Sequence, residues 1–269
     1  MSEQKKNAVR GVFTVKHKRY LTPHYIRVTL AATDQQLEPL RGITVGGHNK
    51  LFIPPKGVNV IEFPDRDNPI LTPNALNVRT YTTRQINFEQ HEIGIDFVVH
   101  GDNGLASAWA MGTEPGDVLG VVMKVSSQPI VPQTDRYVLI GDATALPVIG
   151  AILESLSTTA QATVILEVRG KEDELVVPSP ANVQLQWVHN AQPEAESPLA
   201  DVALSVLSVR AVSKPFVFIA AEQRTVRTLR SYLKYELGLV AGQYSATAYW
   251  TAGESEEQSV SKRRAEMRD

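Results

Sequence analysis

A chain of 269 residues, 43% of them apolar, is long enough for one large domain or two ordinary ones around a substantial core. Its 27 basic and 29 acidic residues leave a formal charge of −2, which argues against bulk nucleic-acid binding. The absence of cysteine rules out disulfides, thiolate zinc sites, cysteine-held iron–sulfur clusters and cysteine nucleophiles.

In chain order, Met1-Ser2-Glu3-Gln4-Lys5-Lys6 leads into no apolar run, and no apolar stretch reaches the roughly 20 residues of a membrane span. The expectation is a cytoplasmic protein without a membrane span. Strands are predicted over residues 12–15, 25–30, 50–53, 93–99 and 118–122, with Ile26, Val28 and Leu30 on one face of the second. A short helix is predicted over residues 107–111. Short strands with regular turn signals point to a small antiparallel β-barrel. The proline-bearing stretch at residues 126–134 marks a joint. Beyond it, buried-type strands at 137–140, 162–168, 183–188, 215–220 and 243–250 alternate with helices at 145–156, 200–209 and 222–237. That alternation predicts a parallel sheet covered on both faces. Ser255 and Gln258 form a capping-box pattern, with acids early and Lys262, Arg263, Arg264 and Arg268 late, so a final helix is predicted. The expected organisation is a barrel domain over 1–130, an α/β domain over 131–253 and a C-terminal helix over 254–269.

The chemistry-bearing stretch is Arg79-Thr80-Tyr81-Thr82-Thr83-Arg84, followed by Asp96-Phe97-Val98-Val99-His100-Gly101 and Gly104-Leu105-Ala106-Ser107-Ala108-Trp109. On a strand, Arg79 and Tyr81 share a face. A guanidinium grips phosphate with paired donors, a tyrosine ring lies against a flat heterocycle, and a threonine hydroxyl bonds a ring nitrogen or carbonyl. That set suits a flavin dinucleotide. Gly104, Ala106 and Ser107 let a backbone approach a pyrophosphate closely. Taken alone, Arg-x-Tyr-Thr also fits an ordinary hairpin with a surface arginine and a core tyrosine.

With Gly141-Asp142-Ala143-Thr144-Ala145-Leu146-Pro147 added, these stretches resemble the siderophore-interacting protein family, the ferric-siderophore reductases among the ferredoxin-reductase-like flavoproteins. The resemblance covers nearly the whole chain. It implies an FAD-binding barrel followed by an NAD(P)H-binding-like sheet domain, with the flavin in the crevice between them. By the same resemblance Arg79, Thr80, Tyr81 and Thr82 hold the flavin ring and ribityl-phosphate side. Asp96, Val98, His100, Gly104, Ala106 and Ser107 hold the remainder of FAD. Asp142, Thr144 and Ala145 lie after the first strand of the second domain, where open α/β sheets bind ligands. They would meet a nicotinamide dinucleotide, although the turn equally suits structural capping. The family commonly carries glutamate where Ala143 stands and arginine where Thr251 stands. Trp250 reads either as core packing or as a lid near the flavin.

The implied reaction is flavin-dependent reduction of a ferric siderophore to release Fe(II). Electrons come from NAD(P)H or from a ferredoxin. Glu167 and the cations Arg169 and Lys171 mix NAD and NADP signals, with NADH preferred. No resident metal ligands are expected, and the six histidines are scattered. An anionic ferric complex calls for cations: Lys50 after the Gly46-Gly47 turn, Arg84, Lys124, Lys262 and Arg263 are the candidates. Lys50 and Lys262 are also the candidate proton donors to a ligand oxygen. A monomer is expected. The competing readings are a general flavin or ferredoxin–NAD(P) reductase and a non-catalytic siderophore carrier.

Overall fold

The computed structural model describes residues 8–61, 63, 77–100, 104–210 and 214–254. The predicted C-terminal helix, with Lys262 and Arg263, lies outside the described residues. The chain divides into two compact units, Met1–Ile130 and Val131–Asp269.

The first unit is a closed antiparallel barrel of six strands: β1 (Ala8–Thr22), β2 (Tyr25–Ala31), β3 (His48–Phe52), β4 (Val78–Asn87), β5 (Glu92–Val98) and β6 (Val118–Lys124). Their order is β1-β2-β5-β4-β3-β6. Alternation selects the inside: Ile26, Val28 and Leu30 of β2 meet Ile93, Ile95 and Phe97 of β5 in the core, all at 0% exposure. The predicted strand at 12–15 is far longer than expected. Residues from Ala8 to Thr14 pair with β6, and residues from Thr14 to Thr22 pair with β2, so one bent strand closes the barrel. Its second half, with Lys16, His17, Lys18 and Arg19, carries too many polar side chains to show as a strand in sequence. A four-residue helix, α1 (Asp34–Leu37), has a Thr33–Gln36 capping box and is too short to show periodicity. Helix α2 (Leu105–Gly112) follows β5.

The second unit is a parallel sheet of β7 (Arg136–Gly141), β8 (Gln161–Val168), β9 (Asn182–His189), β10 (Phe216–Glu222) and β11 (Tyr244–Trp250). The order β11-β10-β7-β8-β9 puts β7 beside both β8 and β10, so the chain reverses direction across the sheet there. Helices are α3 (Leu146–Ser155), α4 (Leu199–Arg210) and α5 (Gln223–Ser231). Leu199, Ala203 and Leu207 of α4 and Val226 and Leu229 of α5 pack with Val138, Ile140, Val217 and Ile219 of the strands. The predicted helix at 145–156 begins as a 3₁₀ turn over Ala143–Ala145, and the one at 222–237 ends in a π-helical turn over Tyr232–Glu236. Gly141 makes the first turn possible. A Cβ there would lie 2.5 Å from the Ala145 methyl and 2.7 Å from Ile149 Cδ1. Among the described residues no helix is long and apolar enough to cross a membrane.

Candidate functional site

In the barrel, register decides which side chains meet. On β3 and β4, His48 stands opposite Thr82, Asn49 opposite Tyr81, Lys50 opposite Thr80 and Leu51 opposite Arg79. Tyr81 is half-buried. Its ring centroid lies 4.6 Å from that of Phe97, which lies 5.6 Å from Trp109 of α2. Arg79 donates through Nη1 to the Val78 carbonyl at 2.9 Å. Thr82 and Thr83 are buried, and Asn49 donates through Nδ2 to Thr83 Oγ1 at 2.5 Å.

The end of β5 leads to α2. The exposed His100 donates its backbone N–H to Ser107 Oγ at 3.3 Å, and Ser107 is fully buried. The His100 ring occupies the space that a Cβ on residue 104 would fill, so glycine lets the ring and the helix start share that place. Gly104 is the N-cap of α2 and offers no side-chain acceptor, and the first turn holds no acid. Gly104 itself therefore supplies no side-chain acceptor to the leading N–H groups of α2. Val98 is half-buried, and Ala106 is buried in the barrel core.

Two predicted contacts need correction. Asp96 does not stand free for a ligand: its carboxylate is 2% exposed and is held by Arg27, with Nε at 2.6 Å from Oδ1 and Nη2 at 2.8 Å from Oδ2. Arg27 Nη1 also donates to Gln85 at 3.0 Å. This fork-on-carboxylate pair makes Asp96 a group that fixes Arg27. Arg84 is not a surface cation. It sits beside an irregularity in the β4–β5 ladder and is only 9% exposed, so it cannot join a solvent-facing set.

The exposed cations gather elsewhere on the barrel. Lys50 donates to Thr80 Oγ1 at 2.5 Å. Partial burial, then the charges of Lys50 and Lys124, lower the His48 pKa below its ordinary 6.5. The lysine charges show that Lys50 of β3 and Lys124 at the end of β6 both act on His48.

Sequence reading missed Tyr25. It opens β2 on the face opposite Ile26, Val28 and Leu30, and it is 3% exposed. Its hydroxyl pKa is raised well above the ordinary value, first by burial and then by the Asp96 charge, with Arg27 and Arg84 opposing. The available signal was its place on the Arg27 face directly after the turn at residues 21–24.

In the sheet unit, Asp142 follows β7 and is 5% exposed. Oδ1 accepts from Thr144 N at 2.9 Å and Thr144 Oγ1 at 2.5 Å. Oδ2 accepts from Glu222 N at 2.9 Å and from Trp250 Nε1 at 2.7 Å. Burial raises the Asp142 pKa, and these hydrogen bonds oppose the rise. Trp250 is thus tied to the end of β7 through its indole N–H. Glu222 in turn caps α5: Oε2 accepts from Arg224 N at 2.5 Å, and Oε1 from Ala252 N at 3.2 Å. Beside it lies a cavity of about 320 Å³ whose lining includes Glu194, Glu196, Glu222 and Arg224. Ala145 is fully buried. Glu167, which suggested NADH, is 3% exposed and accepts from Ser197 Oγ at 2.6 Å and Asn190 Nδ2 at 3.3 Å. Its carboxylate braces the loop after β9, so the ground for preferring NADH is removed.

A closed antiparallel barrel followed by a parallel sheet ordered β11-β10-β7-β8-β9 is a ferredoxin-reductase-like fold. The ferredoxin reductase of carbazole 1,9a-dioxygenase shares it, with a TM-score of 0.62 at 14% identity, covering 90% of this chain and 70% of that one. Residues 14–124 match the model of the siderophore-interacting FAD-binding domain, and residues 134–253 match that of the siderophore-interacting protein. The chain belongs to the siderophore-interacting protein family. It is 29% identical over 260 residues to the ferric vibriobactin reductase ViuB of Vibrio cholerae, covering 96% of this chain and 95% of that protein. The crystal structure of the siderophore-interacting protein SipS from Aeromonas hydrophila superimposes with a TM-score of 0.76 at 28% identity, covering 97% of this chain and 98% of that one.

Proposed function

We propose that the protein is an FAD-dependent reductase that releases Fe(II) from a ferric siderophore. The observation that carries this reading is the placement of Lys50, with Lys124 nearby, on the Thr80 rung of the strand that bears Arg79, Tyr81 and Thr82. Lys50 and a flavin-type segment share one ladder, with Lys124 at the end of β6, in a chain whose barrel matches an FAD-binding domain.

The residues present fit FAD. The α2 start is left without a side-chain cap by Gly104, which suits a pyrophosphate. Arg79 supplies a guanidinium for phosphate, and the half-buried Tyr81 supplies a flat face. Thr80 and Thr82 supply hydroxyls, and His100 with Ser107 shapes the turn. Bound FAD supplies the means to accept electrons in pairs or singly and to pass them on one at a time. The protein's own part is to position: Lys50 and Lys124 attract an anionic ferric complex and hold it beside the Thr80 segment. Lys50, three-fold in N–H donors, also suits proton delivery to a ligand oxygen as iron(III) is reduced and its hard oxygen ligands loosen. Lys262 and Arg263 belong to the same proposal by sequence. Electrons come from NAD(P)H or a ferredoxin-type protein.

The test is anaerobic. Reduced protein is mixed with a ferric siderophore, and Fe(II) is trapped by a chelator. Reoxidation with stoichiometric Fe(II) supports the reading; a flavin that stays reduced ends it. In the Lys50→Ala/Lys124→Ala protein, the bimolecular rate with an anionic siderophore should fall about tenfold at low salt and lose much of its salt dependence, with FAD content unchanged.

A further inference from the structure

Among the described residues, Tyr25 Oη is the buried side-chain polar atom that lacks a hydrogen-bond partner. Phenylalanine would fill the same volume without stranding a hydroxyl, and a stranded hydroxyl costs stability. No neighbouring acceptor is engaged by this hydroxyl. Both oxygens of Asp96 face the Arg27 fork, and Arg27 and Arg84 carry donors only. Tyr25 thus lies within the field of two guanidiniums, one carboxylate and the Tyr81 phenol, drawn from three adjacent strands.

Its position is equally specific. Tyr25 stands opposite Val98 in the β2–β5 ladder, two residues before His100. The next strand along is β4, whose Tyr81 packs on Phe97. A donor O–H without a protein acceptor therefore sits one strand away from the segments assigned above to FAD, in a setting with more cations than anions. That setting suits an electron-rich acceptor.

We propose that Tyr25 is a further residue of the flavin site, its hydroxyl donating a hydrogen bond to the bound flavin ring. This assignment rests on the FAD reading given above. It makes Tyr25 a binding and tuning residue; the chemistry of iron release does not pass through it.

The test compares wild-type and Tyr25→Phe proteins, stripped of flavin and titrated with FAD. Affinity is read by fluorescence quenching, the flavin environment by its absorbance maxima, and stability by melting with and without FAD. The expected result is about tenfold weaker FAD binding, a displaced absorbance maximum and a smaller FAD-induced rise in Tm, while the flavin-free variant melts no lower than wild type. Equal affinity and an identical spectrum would overturn the assignment. So would a variant that melts lower without FAD yet binds FAD normally, because the hydroxyl would then serve the fold. A wild-type protein that takes up no FAD removes the cofactor reading itself, an outcome distinct from either of these.

Discussion

The starts of the helices in the two units differ in one respect. In the barrel, α2 begins at Gly104, which carries no side-chain acceptor, and its first turn has no acid. In the sheet, the turn into α3 begins at Asp142 and α5 begins at Glu222, and each carboxylate accepts from its own helix N-terminus. A helix N-terminus carries a partial positive charge and free N–H groups. The sheet satisfies them with built-in carboxylates and draws Trp250 and the neighbouring strand into the same network. In the barrel, the N-cap residue Gly104 has no carboxylate to offer. The comparison teaches that in the sheet this backbone feature serves cohesion, while under the FAD proposal the α2 start of the barrel would serve the added anion.

The largest expected effect comes from removing a built-in anion. Asp142→Ala strands two backbone N–H groups, a hydroxyl and the Trp250 indole, all near the fold's switch point. Urea unfolding should show a loss of about 3 kcal/mol. A loss below about 1 kcal/mol would mean that water replaces the carboxylate and that the capping is incidental. Next, Gly104→Asp gives the barrel helix the cap that the sheet helices have. It also forces the His100 ring aside. FAD affinity should fall by roughly 2 kcal/mol, about thirtyfold, with the fold retained. Unchanged affinity would place the phosphates elsewhere.

The smallest effect is a pH dependence of opposite sign in the two units. His48 titrates below its ordinary 6.5 in the folded barrel, chiefly through burial and then through Lys50 and Lys124. Between the folded and unfolded values the unfolded chain binds more protons, so stability falls as pH drops below about 6.5. Asp142 titrates above its ordinary 3.8, so across its own window the folded chain holds more protons, and stability falls as pH rises. Urea midpoints between about pH 7.5 and pH 5.5 should decline more for wild type than for His48→Gln. Parallel curves would show that His48 carries no such penalty.

Much of the fold was legible because period-two and buried-run patterns are local. Ile26, Val28 and Leu30 announced β2, and the apolar run ending at Gly141 announced β7. The length of β1 was not legible, because its far half, with Lys16 to Arg19, pairs through backbone while presenting polar side chains. In the site, residue types were readable and partners were not. Nothing local to Asp96 says that Arg27 of another strand will take its carboxylate, and nothing near Glu167 foretells Ser197. Tyr25 passed as one more strand aromatic for the same reason: its significance lies in what the register places beside it. Arg84 read as a cation for solvent because burial at a ladder irregularity leaves no sequence mark.

The pairing of β3 with β4 constrains how such a protein can diversify. His48 and Lys50 occupy outward rungs, while Asn49 and Leu51 between them are buried. Exchanging an outward side chain retunes what docks there and leaves the neighbouring strand undisturbed. Inserting or deleting one residue would turn His48 and Lys50 inward and push Leu51 into water. If Lys50 meets the ferric complex as proposed, substitutions on those rungs should change which complex binds, and a one-residue insertion should abolish binding altogether.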